Sequence, residues 1–165
     1  MIATACLHTP LGPVALAGSE AGLSAVGFAA AGEGLAATPT AAVPACLREA
    51  HRQLAAYFGR ELREFALVCA PEGGTAFQRQ VWAALPGIGY GRTVSYLDVA
   101  VRLHNPKSVR AVGAANGQNP LAIVWPCHRV VGADGSLTGY SGGLHRKQWL
   151  LAFEQPTRQG GLFEG

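Results

Sequence analysis

Hydrophobic positions near the start of the chain alternate with small or polar ones in three short runs, at residues 2–8, 14–17 and 22–28. Turn-forming residues separate these runs, with Pro10-Leu11-Gly12-Pro13 after the first and Glu20-Ala21-Gly22 before the third. A period of two is typical of strands that bury one face, and clusters of Gly and Pro mark connecting turns. The pattern predicts a small antiparallel sheet.

The pattern changes to a helical period after an Ala- and Gly-rich loop at residues 29–42. Hydrophobic residues then recur at spacings of three or four, at Leu47, Ala50, Leu54 and Phe58. Pro44 near the start and Gly59 after the end are typical helix boundaries. We therefore predict an amphipathic helix over residues 44–58.

The second half of the chain carries capping residues at the expected starts of helices. Thr75 with Gln78, and Ser95 with Asp98, have the spacing of capping boxes, which predicts helices from there to about residues 85 and 103. Asn105 as an N-cap, with Pro106 at the first helical position, predicts a third helix to about residue 116. The short connection between the second and third helices predicts a helix-turn-helix.

These elements divide the chain near residue 72. A short strand is predicted at residues 65–69, Pro71-Glu72-Gly73-Gly74 is the linker candidate, and a last helix covers residues 144–154. The tail after Pro156 is expected to be loosely held. The sequence thus predicts the α+β class, with antiparallel strands plus a helix in an N-terminal domain at residues 1–72 and a mostly helical C-terminal domain at residues 73–165.

Composition and charge narrow the class of protein. With 49% hydrophobic and 14% charged residues, the chain of 165 residues is globular rather than disordered. No apolar run reaches the roughly 18 residues of a membrane span, and no secretory leader is recognisable, so a cytoplasmic protein is expected. Residues 1–72 carry a net charge of −2 and residues 73–165 a net charge of +5. A basic half suits contact with phosphates, although many basic halves are simply solvated.

The cysteines argue against a metal or disulfide framework. The four residues Cys6, Cys46, Cys69 and Cys127 are scattered and form no CxxC pair. Cys6 and His8 lie close together, but two neighbours on a strand seldom make a ligand set. We expect neither a metal nor an organic cofactor.

The helix predicted after Asn105 has a face suited to nucleic acid. Lys107, Arg110, Ala114 and Gly117 fall on one side of it, and small residues beside cations permit close approach to a phosphate backbone. An ordinary short helix pair would have the same pattern. These residues alone leave both interpretations open.

Pro126-Cys127-His128-Arg129 is the candidate for chemistry. A thiol becomes a strong nucleophile as the thiolate, and a neighbouring imidazole can take its proton. Adjacent residues of a regular strand point to opposite faces, but Pro126 breaks the preceding apolar run and leaves both side chains free to face one pocket. The alternative is a buried structural cysteine beside a surface histidine.

The segment Ile123-Val124-Trp125-Pro126-Cys127-His128-Arg129-Val130-Val131 resembles the active-site signature of the O6-alkylguanine-DNA alkyltransferases. Flanking matches with the expected order and spacing extend the resemblance over residues 75–154. They include Phe77-Gln78-Arg79-Gln80-Val81-Trp82, Asn105-Pro106-Lys107, Arg110-Ala111-Val112-Gly113, Gly139-Tyr140-Ser141-Gly142-Gly143-Leu144 and Trp149-Leu150-Leu151. The N-terminal half matches only in outline, and the resemblance implies a ribonuclease-H-like fold for it.

The resemblance implies a set of catalytic roles. Cys127 would attack the alkyl carbon so that guanine O6 leaves, and His128 would deprotonate the thiol through a water. Glu154 would orient and charge-balance that imidazole, and Asn119 would brace the turn around the site. Tyr96 would donate a hydrogen bond toward guanine N3 as the base leaves. Each molecule would act once, because a thioether has no easy route back to the thiolate.

The resemblance also implies the partner, which is double-stranded DNA containing O6-alkylguanine. The protein, expected to be a monomer without a membrane association, would bind the minor groove and flip the damaged base out of the stack. Arg110 would fill the vacated space. The other implied contacts are Lys107, Arg92, Ala111 and Gly113 toward DNA, and Tyr140, Ser141, Gly142 and Trp125 around the substrate pocket.

Trp125 departs from the family pattern, because a smaller aliphatic residue is expected before Pro126-Cys127. Its bulk puts the range of accepted alkyl groups in doubt. Alkyltransferase-like proteins, which bind lesions without repairing them, carry Trp in place of the cysteine itself, and they are the main alternative. A helix-turn-helix regulator would leave Cys127 and Glu154 unexplained. A thiol hydrolase is a further alternative, and it is distinguishable because hydrolysis would release a free product and regenerate the enzyme.

Overall fold

The computed structural model describes residues 1–30 and 33–155 and divides into two compact units. The first comprises residues 1–75 and 119–125, and the second comprises residues 76–118 and the described chain from residue 126. This division differs from a single boundary after residue 72, because a short segment near Cys127 belongs to the first unit. The tail predicted to be loosely held after Pro156 lies outside the described residues.

A three-stranded antiparallel sheet begins the first unit. Its strands are β1 (Ala3–Thr9), β2 (Gly12–Ser19) and β3 (Gly22–Phe28), in the order β1-β2-β3. Gly12 and Gly22 have φ values of 95° and 143°, which the tight turns before β2 and β3 require and which side chains disfavour. The sheet predicted from the alternating pattern is confirmed.

Helix α1 (Arg48–Phe58) covers one face of this sheet and ends at Gly59, close to the predicted boundaries. The strand predicted at residues 65–69 is wrong, since only Cys69 forms an isolated bridge there, to Leu23. The side chain of Gln53 binds both the N–H and the carbonyl of Ala66, at 2.9 and 3.1 Å. Gln53 therefore satisfies the backbone groups of Ala66 without a strand partner, while the carbonyl of Val68 and the N–H of Ala70 bond to Leu23.

Residues 119–125 form a buried turn rather than a strand. The Asn119 amide Nδ2 donates to the carbonyl of Trp125 at 2.8 Å, and Asn119 Oδ1 accepts from the N–H of Leu121 at 3.1 Å. Ile123 has a φ of 73°, a left-handed conformation that is costly for a β-branched residue. The side chain of Asn119 thus holds closed a turn whose backbone is strained.

The second unit is mainly helical. Its helices are α2 (Ala76–Ala84), α3 (Tyr96–Arg102), α4 (Val109–Gly117) and α5 (Leu144–Phe153), and two-residue strands β4 (Val94–Ser95) and β5 (Val130–Val131) pair in parallel. The capping box predicted for α3 is confirmed. The Asp98 N–H donates to Ser95 Oγ at 2.9 Å, and the Ser95 N–H donates to Asp98 Oδ2 at 2.8 Å.

The helix-turn-helix is present, but its second helix begins later than predicted. Asn105 is not its N-cap, because α4 begins at Val109 with Ser108 in the N-cap position. The Asn105 carbonyl accepts hydrogen bonds from the N–H and the hydroxyl of Ser108, at 3.0 and 2.7 Å, which closes a turn before the helix. Pro106 suits the second position of such a turn as well as it suits the start of a helix. Lys107 therefore lies in the turn before α4. Its predicted place on the helical face that carries Arg110 is wrong.

The core of the second unit fixes α4. Val81 and Leu85 from the α2 region, Ala100 from α3 and Val112 from α4 are fully buried. The Trp82 indole donates to the carbonyl of Ala115 at 2.8 Å, so the end of α4 is bound directly to α2. Together these elements show an antiparallel sheet followed by helices, which confirms the α+β class. None of the described helices is long and apolar enough to cross a membrane.

Candidate active site

Cys127 lies at the start of a single 3-10 turn, Cys127–Arg129, that directly follows Pro126. Cys127 and the next residue, His128, are both buried. The Cys127 carbonyl accepts a hydrogen bond from the N–H of Val130, which closes the turn. The segment is not a strand, in agreement with the break predicted at Pro126.

The imidazole of His128 is held by the carboxylate of Glu154. Nε2 of His128 lies 2.8 Å from Oε2 of Glu154, and both side chains are essentially excluded from solvent. An ionised carboxylate only accepts hydrogen bonds, so Nε2 carries the proton and Nδ1 of the neutral ring carries a lone pair. Nδ1 is buried and has no hydrogen-bond partner among the described residues. The ring thus has one basic nitrogen available.

Arg129 balances the charge of Glu154. Its Nε and Nη2 donate to the two carboxylate oxygens at 2.8 and 2.9 Å, and its Nη1 donates to the carbonyl of Ile88 at 2.6 Å. Burial by itself raises the pKa of Glu154, but hydrogen bonds from His128 and Arg129 and their charges outweigh it and lower the pKa to about 2. Glu154 is therefore an anion at neutral pH.

His128 is neutral at the same pH. Complete burial lowers its pKa below the ordinary value, and the positive charges of Arg129 and Lys147 lower it further. The hydrogen bond and charge of Glu154 oppose this shift without reversing it. A neutral imidazole with a free Nδ1 is the state that can accept a proton from a thiol.

Tyr96, predicted at the site, is buried at the start of α3 and makes hydrogen bonds within the protein. Its hydroxyl donates to the carbonyl of Thr138 at 2.9 Å. It also lies 3.2 Å from Nζ of Lys147, which donates to the same carbonyl at 2.8 Å.

Lys147 was not predicted as a site residue. Its side chain is fully buried, and its ammonium contacts Tyr96 both at the hydroxyl and over the ring, 5.6 Å from the centroid. A signal was present in the sequence, because Lys147 precedes the apolar Leu150 by three positions and Glu154 by seven, which puts all three on one helical face.

Asn116 is a second residue to which the sequence assigned no role, although it lies in a stretch expected near the pocket. It lies in α4, is buried, and donates from Nδ2 to the carbonyl oxygen of Cys127 at 3.1 Å. Its position four residues after the fully buried Val112 is the only sequence signal that it faces inward.

The predicted pocket residues differ in exposure. Tyr140 is buried, and burial together with the charge of Cys127 raises the pKa of its phenol well above the ordinary value. Ser141 is exposed, and Gly142 is half-buried with its carbonyl accepting from Arg146 at 3.1 Å. Trp125 is half-buried and, with Asn119, belongs to the first unit.

The residues predicted to contact DNA are mostly at the surface. Arg110 and Ala111 are exposed in the first turn of α4, Lys107 is exposed in the preceding turn, and Arg92 is exposed before β4. Gly113 is half-buried, and a Cβ built on it would lie 3.9 Å from the ring of Tyr96. A Cβ at this position would therefore make an ordinary van der Waals contact with Tyr96.

The other cysteines lack the surroundings of Cys127. Burial raises the pKa of the thiols of Cys6 and Cys69, which disfavours their reactive thiolates. His8, near Cys6, binds the carbonyl of Leu35 at 2.7 Å. Among residues 1–30 and 33–155, no group of three His, Cys, Asp or Glu side chains is placed to hold a metal ion.

Comparisons with known proteins agree with the resemblance. The family model described as the DNA-binding domain of 6-O-methylguanine DNA methyltransferase matches residues 76–156, and the model of the ribonuclease-like domain matches residues 2–70. The methylated-DNA–protein-cysteine methyltransferase of Methanosarcina acetivorans is 49% identical over 152 residues, which cover 91% of this chain and 96% of that protein.

Solved structures give the same result for the fold. The O6-methylguanine methyltransferase of Mycobacterium tuberculosis superposes with a TM-score of 0.81 at 40% identity, covering 99% of this chain and 100% of that one. A structure of the M. tuberculosis OGT in complex with DNA also gives a TM-score of 0.81, at 43% identity, with 92% of each chain covered. The resemblance inferred from the motif around Cys127 is confirmed, and the chain belongs to the 6-O-methylguanine DNA methyltransferase family.

Proposed function

We propose that this protein repairs DNA by transferring an alkyl group from O6 of guanine to Sγ of its own Cys127. The observation that carries the proposal is the buried series of Cys127, His128, Glu154 and Arg129. It has a nucleophile, a neutral base and an anion that orients the base, which is the arrangement that activation of a thiol requires. The names of the relatives support the same reaction.

The transfer proceeds by displacement at the alkyl carbon. The thiol proton passes through a water to Nδ1 of His128, and the resulting imidazolium is stabilised by Glu154. The thiolate forms an S–C bond as the C–O bond breaks, and the electron pair of that bond stays on guanine. The base takes up one proton, so the net change is an alkyl group exchanged for the thiol hydrogen. The thioether is stable, so each molecule acts once and no cofactor takes part.

Tyr96 and Lys147 would stabilise the leaving base. The Tyr96 hydroxyl donates to the Thr138 carbonyl when no base is bound, and that carbonyl also accepts from Lys147. If Tyr96 turns its hydrogen toward guanine N3, Lys147 still satisfies the carbonyl. The Lys147 ammonium also stabilises the negative charge that develops on the Tyr96 phenol and on the leaving base.

Double-stranded DNA is the proposed partner, with α4 in the minor groove. Arg110 and Ala111 are exposed at the start of that helix, and Lys107 and Arg92 provide further exposed cations. Because O6 lies on the major-groove edge of a stacked guanine, a protein bound in the minor groove reaches it only if the base is flipped out, at a cost of a few kcal/mol, and Arg110 would fill the gap. Tyr140, Ser141 and Gly142 would line the pocket, and in the first unit Asn119 would hold the turn that ends at Trp125. We propose that a monomer is sufficient.

Mass measurement tests the reaction directly. After incubation with duplex DNA containing O6-methylguanine, the protein should gain about 14 Da on the peptide that contains Cys127, because CH3 replaces H. The Cys127→Ser variant should bind the same duplex without gaining mass. A wild-type protein that binds the lesion but remains unmodified, with the lesion intact, would instead be a lesion-binding protein. Release of a free alkyl product would indicate a hydrolase.

A further inference from the structure

We infer that Asn116 is a positioning residue that fixes the orientation of Cys127, through the hydrogen bond from its amide to the Cys127 carbonyl. The inference rests on the proposed function, since it concerns the same nucleophile. It adds a residue of the DNA-facing helix to the parts of the protein that set the geometry of the reaction.

The first argument is the geometry at the Cys127 carbonyl. This oxygen accepts two hydrogen bonds, from the N–H of Val130 within the 3-10 turn and from Nδ2 of Asn116 at 3.1 Å. A carbonyl oxygen has two lone pairs, so both are used. The plane of this carbonyl is the peptide plane that joins Cys127 to His128. Holding it from α4 therefore fixes how the nucleophile and the base are oriented relative to each other.

The second argument is that packing does not explain an amide at this position. The side chain of Asn116 is buried, and its Oδ1 has no hydrogen-bond donor among the described residues. A buried acceptor without a donor is destabilising, and an apolar side chain of similar size would avoid that cost. What an apolar side chain cannot supply is the N–H directed at Cys127.

The third argument is the rigidity of the support. Ala115, the neighbour of Asn116, is buried, and its carbonyl accepts from the Trp82 indole at 2.8 Å. Val112, one helical turn earlier, is fully buried. A side chain projecting from a helix that is fixed on this side can impose a position on its partner, rather than follow it.

The main test separates binding from reaction. Asn116→Leu removes the N–H but keeps the approximate size of the side chain, and Gln80→Leu makes the same change of type at an exposed amide on α2. Single-turnover rates on duplex DNA containing O6-methylguanine give the maximal rate constant, and duplex affinity is measured with Cys127→Ser in the background. We expect Asn116→Leu to lower the maximal rate at least about tenfold with affinity within twofold, and Gln80→Leu to change neither.

A second variant supplies a control for folding. Asn116→Asp has nearly the same shape, and its carboxyl can donate to the Cys127 carbonyl when protonated but not when ionised. Burial raises the pKa of such a carboxyl, so titration falls in an accessible range. The rate of this variant, divided by the wild-type rate at the same pH, should decrease as the pH rises from 5.5 to 8.5. Dividing by the wild-type rate removes the titration of those groups among Cys127, His128, Glu154 and Tyr140 that keep their pKa values in the variant.

The possible results are distinct. A wild-type maximal rate in Asn116→Leu, or a rate ratio for Asn116→Asp that does not change with pH, would overturn the inference. If Asn116→Leu does not fold, the pH dependence of Asn116→Asp decides alone. If the wild-type protein itself transfers no alkyl group, the proposed function fails, whereas transfer by the wild type with no effect of Asn116 removes only this inference.

Discussion

Arg129 binds Glu154 through two hydrogen bonds, of 2.8 Å from Nε and 2.9 Å from Nη2, while the same carboxylate accepts the proton of His128 Nε2. The carboxylate thus has a permanent cation as its main partner. Its charge is balanced without protonation of the imidazole, and His128 stays neutral although it is hydrogen-bonded to an anion. This relationship determines the protonation state of the proposed base.

The role of Arg129 predicts a shift in pH dependence. Arg129→Leu removes the cation that is bound to Glu154 and lies close to His128, which favours the imidazolium and raises the pKa of the base. The rate of alkyl transfer relative to wild type should be lowest at pH 6 and recover toward pH 9, because the base of the variant stays protonated to a higher pH and its reactive fraction then changes about tenfold per pH unit. Single-turnover rates from pH 6 to pH 9 measure this. Arg129→Lys, which keeps the charge but not the paired geometry, should shift the profile less. Identical profiles in all three proteins would contradict the role.

His128 should make stability depend on pH. Its pKa is lowered in the folded protein, so the unfolded chain binds the extra proton first as the pH falls. The free energy of unfolding should therefore be independent of this group above about pH 6.5 and decrease below it, by up to about 1.4 kcal/mol per pH unit. Urea unfolding of wild type and of His128→Gln at pH 7.5, 6.5 and 5.5 isolates the effect. The variant should lack this part of the slope, and equal slopes would be inconsistent with a buried neutral imidazole.

Lys147 should matter more for reaction than for stability. Lys147→Met keeps an unbranched side chain of similar length and removes a buried charge whose desolvation is costly, so the free energy of unfolding should change by no more than about 1 kcal/mol. The rate of transfer should fall about tenfold, because the Tyr96 hydroxyl loses the cation 3.2 Å away. Thermal unfolding and single-turnover rates are the two measurements. A large loss of stability with an unchanged rate would assign Lys147 to the fold alone.

Arg110 should act only where a base has to leave the stack. Arg110→Ala should slow repair of O6-methylguanine in duplex DNA at least about tenfold, since it removes the side chain proposed to fill the vacated space. Reaction with the free base O6-alkylguanine needs no extrusion and should be nearly unchanged. Arg79→Ala, which removes an exposed cation on α2 that has no proposed contact with DNA, serves as the matched control. Equal losses on the duplex and the free base would argue against a role in extrusion.

The sheet and most helices could be predicted because their signals are local. The alternation before residue 28 and the caps at Ser95 and Asp98 depend on contacts between residues near in sequence. The prediction of a strand at residues 65–69 was wrong because the side chain of Gln53 binds the backbone of Ala66 there. Gln53 is remote in sequence and belongs to α1, so no local pattern reveals it. The predicted start of α4 was wrong because Pro106 suits both a turn and a first helical position. The hydrogen bond from the Ser108 hydroxyl to the Asn105 carbonyl favours the turn.

The proposed reactive dipeptide, Cys127-His128, and the family to which the chain belongs could be inferred from the order of residues alone, because a contiguous motif carries that information. The folded structure sets the protonation state of His128. Glu154, Arg129 and Lys147 act on His128 through space, and their effect depends on burial and distance. The folded structure also decided that Asn116 reaches Cys127, because a hydrogen bond between a helix and a turn exists only once both are packed. Residue types are fixed along the chain, whereas their protonation and orientation are properties of the folded interior.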